Sequence, residues 1–484
     1  MSTRSGADNP ANIDSTERGA DESRRRFLRA GGMGAAVGAG AFLAPGSGHA
    51  RAAGETSVSR RVTEFGAVGD GKTDDTAPIQ AAFAELGSDP DRVVAGIQGG
   101  HLQIPPGEYR LTSTVNVHRF AGIVEGTGVG HTPVYPAPRA AGRGTAFVWD
   151  GPAGEPMFRI TDSAFLTIRD LRFSGNDHRP PSIGLNFHKE REHQSGTNGH
   201  LLVEDCTFGV WPWVRSGDRG LMGTAIAFTN AEGSGDNDQF RINRCLFRGP
   251  REPYRDPDYH TGGIRIEGSQ SIWGSIHDCT FDHVTIGLDT VASTTLSNAQ
   301  FNGCGTDISV GSTAAVTLLG WQSEHSHRLA RLSPAGSLHV VGGMCMIRRE
   351  HYTDGQPLID AFPSGEGQSL SLRDLRFFRS GQAGADSSRP PIRFGPSETD
   401  RVSAGGSGFY IRIDNCVGLH PEQCQMVGEM YASVPRSRGL VEWHSRGSGG
   451  VSQFRNELWA GGPDGTRTTI DTGAWDPPRA GLHD

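Results

Sequence analysis

A short phrase repeats along this chain, and few folds can accommodate it. It stands clearest as Leu202-Val203-Glu204-Asp205-Cys206-Thr207-Phe208, and it returns as Arg241 to Phe247 and as Ser275 to Phe281. An earlier copy, Thr167 to Phe173, has Leu171 in the Cys position, and looser copies run Leu296 to Phe301, Leu370 to Phe377 and Ile411 to Cys416. Each copy joins a short β-branched strand, a polar bend residue, and two apolar residues separated by one polar residue. A second strand follows most copies: Ser182 to Leu185, Thr224 to Phe228, Gly263 to Ile266, Thr285 to Leu288 and Thr306 to Val310.

One such unit leaves its own apolar face bare, so the units must stack. The Cys position recurs at steps of 35, 39, 34 and 20 residues, from Leu171 through Cys206, Cys245 and Cys279 to Ala299. A step of about 20–25 residues suits one turn of a parallel β-solenoid, and the longer steps are a turn plus an inserted loop. The prediction is an all-β chain, a single-stranded parallel β-helix whose Leu, Cys and Phe positions line up along the axis. Such a solenoid absorbs 484 residues in one domain, and its many short strands and turns account for an apolar content of only 35% and for 69 glycines. A net charge of −8 weighs against nucleic acid as a partner.

Residues 1–52 predict an export signal rather than fold. Ser23-Arg24-Arg25-Arg26-Phe27-Leu28-Arg29 carries a twin-arginine pattern, a weakly apolar stretch follows from Ala30 to Ala44, and Ala50-Arg51-Ala52 is a small-residue cleavage site. The expectation is a secreted protein that meets the twin-arginine translocase during export and is not stably inserted in the membrane, since the apolar stretch is too short to span it. The chain has seven cysteines, with no CxxC or Cys/His metal spacing. Cys206, Cys245, Cys279 and Cys416 fall in the inward position of the repeat, where a thiol acts as a small buried hydrophobe. Cys416–Cys424 is the only local disulfide the spacing suggests.

Between residues 62 and 86 a strand leads through a Gly-rich turn into a helix, with Asp75 or Thr76 as the cap and Ile79, Ala82, Phe83 and Leu86 on one face. A short helix here covers the open first coil. The expected layout is a cap with first coils over 53–125, the β-helix over 126–430, and a C-terminal cover and tail over 431–484.

Two stretches carry a family resemblance: Phe65-Gly66-Ala67-Val68-Gly69-Asp70-Gly71-Lys72-Thr73-Asp74-Asp75-Thr76, and Gly99-Gly100-His101-Leu102-Gln103-Ile104-Pro105-Pro106-Gly107-Glu108-Tyr109. They resemble the N-terminal signature of the pectate-lyase superfamily, in the branch grouped with rhamnogalacturonases, epimerases and glycosyl hydrolase family 28-related proteins. The resemblance implies a right-handed parallel β-helix and action on polysaccharides. The polygalacturonase catalytic pattern is not met: Asp236-Asn237-Asp238 and Gly262 to Ile266 echo only pieces of it. Asp70, Lys72, Asp74 and Asp75 are expected to shape the turn and the cap.

The three long steps come from consecutive coils, so their loops, the first beginning at His188-Lys189, are expected to stack into one wall of a saccharide groove. Trp211, Trp213, Tyr254 and Tyr259 offer flat faces to sugar rings, and His260 and Arg265 offer contacts to uronate carboxylates. Glycoside hydrolysis needs two carboxylates across the bond, and the candidates are Glu324, Asp236, Asp238 and Glu267, with His325 or His327 beside Glu324. The leading expectation is therefore a glycosidase that needs no cofactor. The alternatives are a lyase, with Arg265, Lys189 or His260 at the reacting carbon and Ca²⁺ on Asp236, Asp238 and Asp256, or a β-helix that binds glycans without cleaving them.

Overall fold

In a computed structural model, residues 59–87, 100–128, 144–189, 198–209, 220–231, 237–249, 261–268, 271, 273–311, 314–333, 336–348, 357–361, 369–380, 392–394, 409–417, 425–426, 437–447 and 450–460 are described. All lie in the compact unit Ser57–Asp484. The expected export signal lies outside the described residues. No helix among the described residues is long and apolar enough to cross a membrane.

The described strands form a parallel β-helix. A first sheet of 22 strands holds both halves of every repeat phrase, and a second sheet of 11 strands holds the strand that follows it. Leu202-Val203-Glu204 pairs in parallel with Thr167-Ile168-Arg169 on one side and Arg241-Ile242-Asn243 on the other. Phe208 pairs with Phe173 and Phe247. In the later coils the two halves fuse into single long strands, Ala315–Glu324, Ser337–Arg348 and Ser369–Ser380. The first sheet continues past residue 430: Ser437–Gly447 extends it in parallel and Gly450–Ala460 closes it as an antiparallel hairpin.

Register explains the core. Phe173, Phe208, Phe247, Phe281 and Phe301 stack with centroids 4.8–5.3 Å apart and planes within 10° of parallel. Each stacked pair adds about 0.5–1.5 kcal/mol to the area that it buries. The row stops where Ser323 takes the Phe position. There the buried Asp307 accepts a hydrogen bond from Trp321 Nε1 at 3.2 Å, and burial pushes its carboxyl up to about 7 against the pull of Ser323, Ser326 and Trp321.

Cys206, Cys245 and Cys279 stand one per coil beside the Phe row, and their thiols reach backbone carbonyls such as Ile168 O, Val203 O and Ile242 O. Burial pushes the thiols of Cys245 and Cys279 well up, which leaves them unreactive. Cys416 carries a buried free thiol. It faces inward and reaches Leu372 O, and Cys424, the partner the spacing suggested, lies outside the described residues.

The signature acids build the entry to the solenoid. Asp70 Oδ1 accepts from the backbone N–H of Lys72 and Thr73, and Asp75 accepts from those of Val68 and Gly69. The first-turn donor of helix α1 (Thr76–Gly87) is met by Asp74, through Thr76 N at 3.0 Å, because the Asp75 side chain has turned back to the Gly-rich turn. Gly69 is required: its φ is +67°, and a Cβ there would lie 2.9 Å from the Tyr109 ring. Phe83 of α1 packs edge-on against Phe120 at 5.4 Å and covers the first coils.

Candidate functional site

On the second sheet, side chains alternate between the core and the outside. Leu185 and Phe187, Ile226 and Phe228, and Ile264 and Ile266 point inward and are buried. Asn186 and His188, Ala227 and Thr229, and Arg265 and Glu267 therefore face outward. Parallel pairing aligns these outward residues in two ranks along the axis. The first is Asn116, Arg159, Asn186, Ala227, Arg265 and Asp289. The second, continuing the same registers, is His118, Thr161, His188, Thr229 and Glu267.

An outer face open to water would leave such positions exposed. Instead Asn186, Ala227, Thr229 and Thr161 keep only 6%, 0%, 7% and 6% of their surface. This stretch is shielded, and it is polar.

Its hydrogen bonds fix a proton position. Thr229 Oγ1 donates to Asn186 Oδ1 at 2.7 Å and contacts His188 Nδ1 at 2.8 Å. A hydroxyl has one proton, so in the second contact Nδ1–H donates to Thr229. With Nδ1 carrying a proton, Nε2 is the nitrogen at which the ring can take up or release another. His118 Nδ1 makes a similar contact with Thr161 Oγ1 at 3.0 Å. Beside the ranks, Lys189 Nζ lies 3.8 Å from Asp162 Oδ1, with both side chains 4% exposed. Arg265 Nε lies 3.0 Å from Glu267 Oε1. Arg159 and Arg265 stand in the first rank, and guanidinium groups suit carboxylate ligands.

The structure brings together only some of the residues expected from the sequence. Glu267 and Arg265 belong to the ranks, and Lys189 adjoins them. His188 and Lys189, expected in an inserted loop, lie inside the strand Ile183–Lys189, because the apolar alternation runs one pair further than the repeat suggested. Asp238 opens the strand Asp238–Asn243. It sits at the corner that leads from the second sheet to the first. Asn237 beside it is wholly buried and joins Asn198 through a 2.8 Å amide contact inside that corner. Asp236, Trp211, Trp213, Tyr254, Tyr259 and His260 lie outside the described residues.

Glu324 stands at the opposite corner, in register with Asn302, which is in register with Asp282. The width of a second-sheet strand separates it from Glu267 and Asp238, so these acids do not flank one bond. Its neighbours form a cluster of their own. Asp282 Oδ2 lies 2.7 Å from Arg248 Nη2, and Asp282 Oδ1 lies 2.6 Å from His283 Nδ1. Burial opposes ionisation of Asp282, but the His283 hydrogen bond and charge, with the Arg248 guanidinium, hold its carboxyl below the usual range.

Among the described residues no group of three or more His, Cys, Asp or Glu side chains is placed to hold a metal ion. Of the expected Ca²⁺ ligands, only Asp238 is described.

Residues 59–201 match the family model described as rhamnogalacturonase A/epimerase, pectate lyase-like. That span contains both stretches of the resemblance and the strand bearing His188. No curated protein matches the chain. Among solved structures, ORF18 of Geobacillus virus E2 is similar at 16% identity and a TM-score of 0.42, covering 84% of this chain and 64% of that one. This chain thus spans under two thirds of that protein's length. The DFA-IIIase of Arthrobacter chlorophenolicus A6 is similar at 14% identity and a TM-score of 0.47, over 79% of this chain and 94% of that one. The A-module of the mannuronan C-5 epimerase AlgE4 of Azotobacter vinelandii is similar at 14% identity and a TM-score of 0.37, over 78% of this chain and 98% of that one.

Proposed function

We propose that this chain acts on a uronate-containing polysaccharide by removing the proton beside a sugar carboxylate, with His188 as the base. The observation that carries this is the Asn186–Thr229–His188 hydrogen-bond relay, which fixes Nδ1 on Thr229 and so orients the ring on a shielded, polar face. The match of residues 59–201 to a pectate lyase-like family supports the substrate class.

The C5–H proton passes to Nε2, and its electron pair forms the C4=C5 double bond. The C4–O bond breaks, and the leaving oxygen takes a proton from the imidazolium or from water. Guanidinium groups on the carboxylate stabilise the negative charge that develops at C5. Export by the twin-arginine route belongs to the same proposal and places the protein where such polymers occur.

A second reading, inverting hydrolysis, rests on Asp282 and Glu324. They stand two coils apart in one outward row, about 9.6 Å at about 4.8 Å per coil. Inverting enzymes separate their carboxyls by about 6.5–9.5 Å, a range whose upper limit falls just short of this spacing, and the lowered Asp282 carboxyl suits a base.

The test follows two products from a panel of uronate and neutral polysaccharides: unsaturated uronates by ultraviolet absorbance, and new reducing ends. His188→Ala is expected to lower the rate of unsaturated product by about 10²–10⁴-fold. Reducing ends without unsaturation, lost in Glu324→Gln and kept in His188→Ala, would replace elimination with hydrolysis.

A further inference from the structure

Across the corner from the His/Thr rank runs a second row that the chemistry above does not use. The registers that align Leu166, Leu201, Phe240 and Gly274 bring Phe165, His200, Gln239 and Trp273 to equivalent places on four consecutive coils. The backbone of all four is left-handed, with φ of 55°, 53°, 54° and 59°. This conformation favours Gly, Asn and Asp, and it is strained for bulky side chains. His200 is of a type met there, but Phe165, Gln239 and Trp273 are not residues that it favours.

Core burial does not explain their retention: Phe165 is 45% and Trp273 63% exposed. Nor are they disordered edges of a loop. Phe165 and His200 are stacked, with centroids 4.3 Å apart and planes 12° from parallel, and the Phe165 backbone is tied to Gly199 O at 2.9 Å. Bulky, flat side chains held outward against a conformational cost point to a surface used for contact.

We infer that this row is a platform on which an extended glycan strand lies along the solenoid axis, sugar rings stacked on Phe165–His200 at one end and on Trp273 at the other. The polar Gln239 between them suits the hydroxyls of an intervening sugar. Three coil steps give the platform a length of about 14 Å. Its continuity with the shielded ranks identifies the occupant: Phe165 follows Thr161 by four residues, and Trp273 follows Glu267 by six. The ranks and the row both run along the axis, one corner apart, so the row flanks the face on which the polymer is processed. The substrate class rests on the function proposed above, whereas the platform itself rests on exposure, stacking and strain.

The test is affinity electrophoresis of the full chain in native gels cast with polygalacturonate, alginate or neutral dextran, paired with thermal melts. Phe165→Ala and Trp273→Ala are each expected to weaken retardation about three- to tenfold, the value of one aromatic contact. Phe165→Asn and Trp273→Asn are expected to melt no lower than the wild type while losing retardation. Unchanged retardation in both Ala variants overturns the platform. So does a loss of several degrees in both Asn variants, which marks the rings as packing groups. Retardation that depends on Trp273 without turnover of any polymer upholds the platform and removes the catalytic proposal. No retardation of the wild type in any gel removes both.

Discussion

Two rows of left-handed residues climb this solenoid, and they obey different rules. The bend row, inside the repeat phrase, runs Asp170, Asp205, Arg244, Asp278, Asn298 and Gly320, with Asp374 and Asn415 further on. Nearly all are Asp, Asn or Gly, the types that tolerate this backbone. Their side chains also tie the coils together. Asn298 Nδ2 donates to Asp278 Oδ1 at 3.0 Å, Asn415 Nδ2 to Asp374 Oδ1 at 2.7 Å, and Arg244 Nη2 pairs with Asp205 Oδ2 at 2.6 Å. The corner row, Phe165 to Trp273, has the same φ and none of those residues. The first row has the composition that folding asks for. The second departs from it, and the departure points to a use.

An exchange of residues between the rows tests that contrast most strongly. Asp278→Phe puts an aromatic ring into the bend row. It strains the backbone by about 1–2 kcal/mol and removes the Asn298 hydrogen bond, worth about 1 kcal/mol. A melting temperature lowered by several degrees is expected, and an unchanged one would show that the bend imposes no such preference. The reverse exchange, Phe165→Asn, relieves about 1–2 kcal/mol of backbone strain and loses the His200 stack, about 0.5–1.5 kcal/mol, so its urea midpoint is expected to equal or slightly exceed that of the wild type. Destabilisation there would dissolve the distinction between the rows.

A smaller, pH-dependent effect lies within the bend row. Burial, followed by the charge of Asp205, raises the Asp170 carboxyl above its ordinary value. The folded state therefore holds this proton to higher pH than the unfolded chain does. Between the unfolded value near 4 and the raised folded value, stability falls as pH rises. Asp170→Asn keeps a residue suited to the left-handed backbone and removes the titration. Its urea midpoint is expected to exceed that of the wild type at pH 7 and to approach it near pH 3. A difference that stays constant across that range would rule out the titration as its cause.

Much of this was legible in the chain. The repeat phrase predicted the strands, the inward Cys and Phe positions and the bend residue, because a solenoid forces one local pattern to recur at each step. The pectate lyase-like signature placed the cap, and the short polar hydrogen bonds of Asp70, Asp74 and Asp75 show why those residue types recur there. The candidate site was legible only in fragments. Arg265, Glu267 and Lys189 stood out singly, but His188 read as part of a loop and Asn186 and Thr229 did not stand out.

The reason is physical. Within one strand, alternation determines which residues point outward, and that is a property of sequence. Which outward residues become neighbours depends on how coils of unequal length align. The steps between the Cys positions range from 20 to 39 residues, so spacing along the chain does not give adjacency along the axis. His188 lies 41 residues before Thr229. The sequence by itself determined the coil, its core and its bend. Only the tertiary register decided that Asn186, Thr229 and His188 form one relay, that Glu324 stands apart from Glu267, and that four strained side chains form one row.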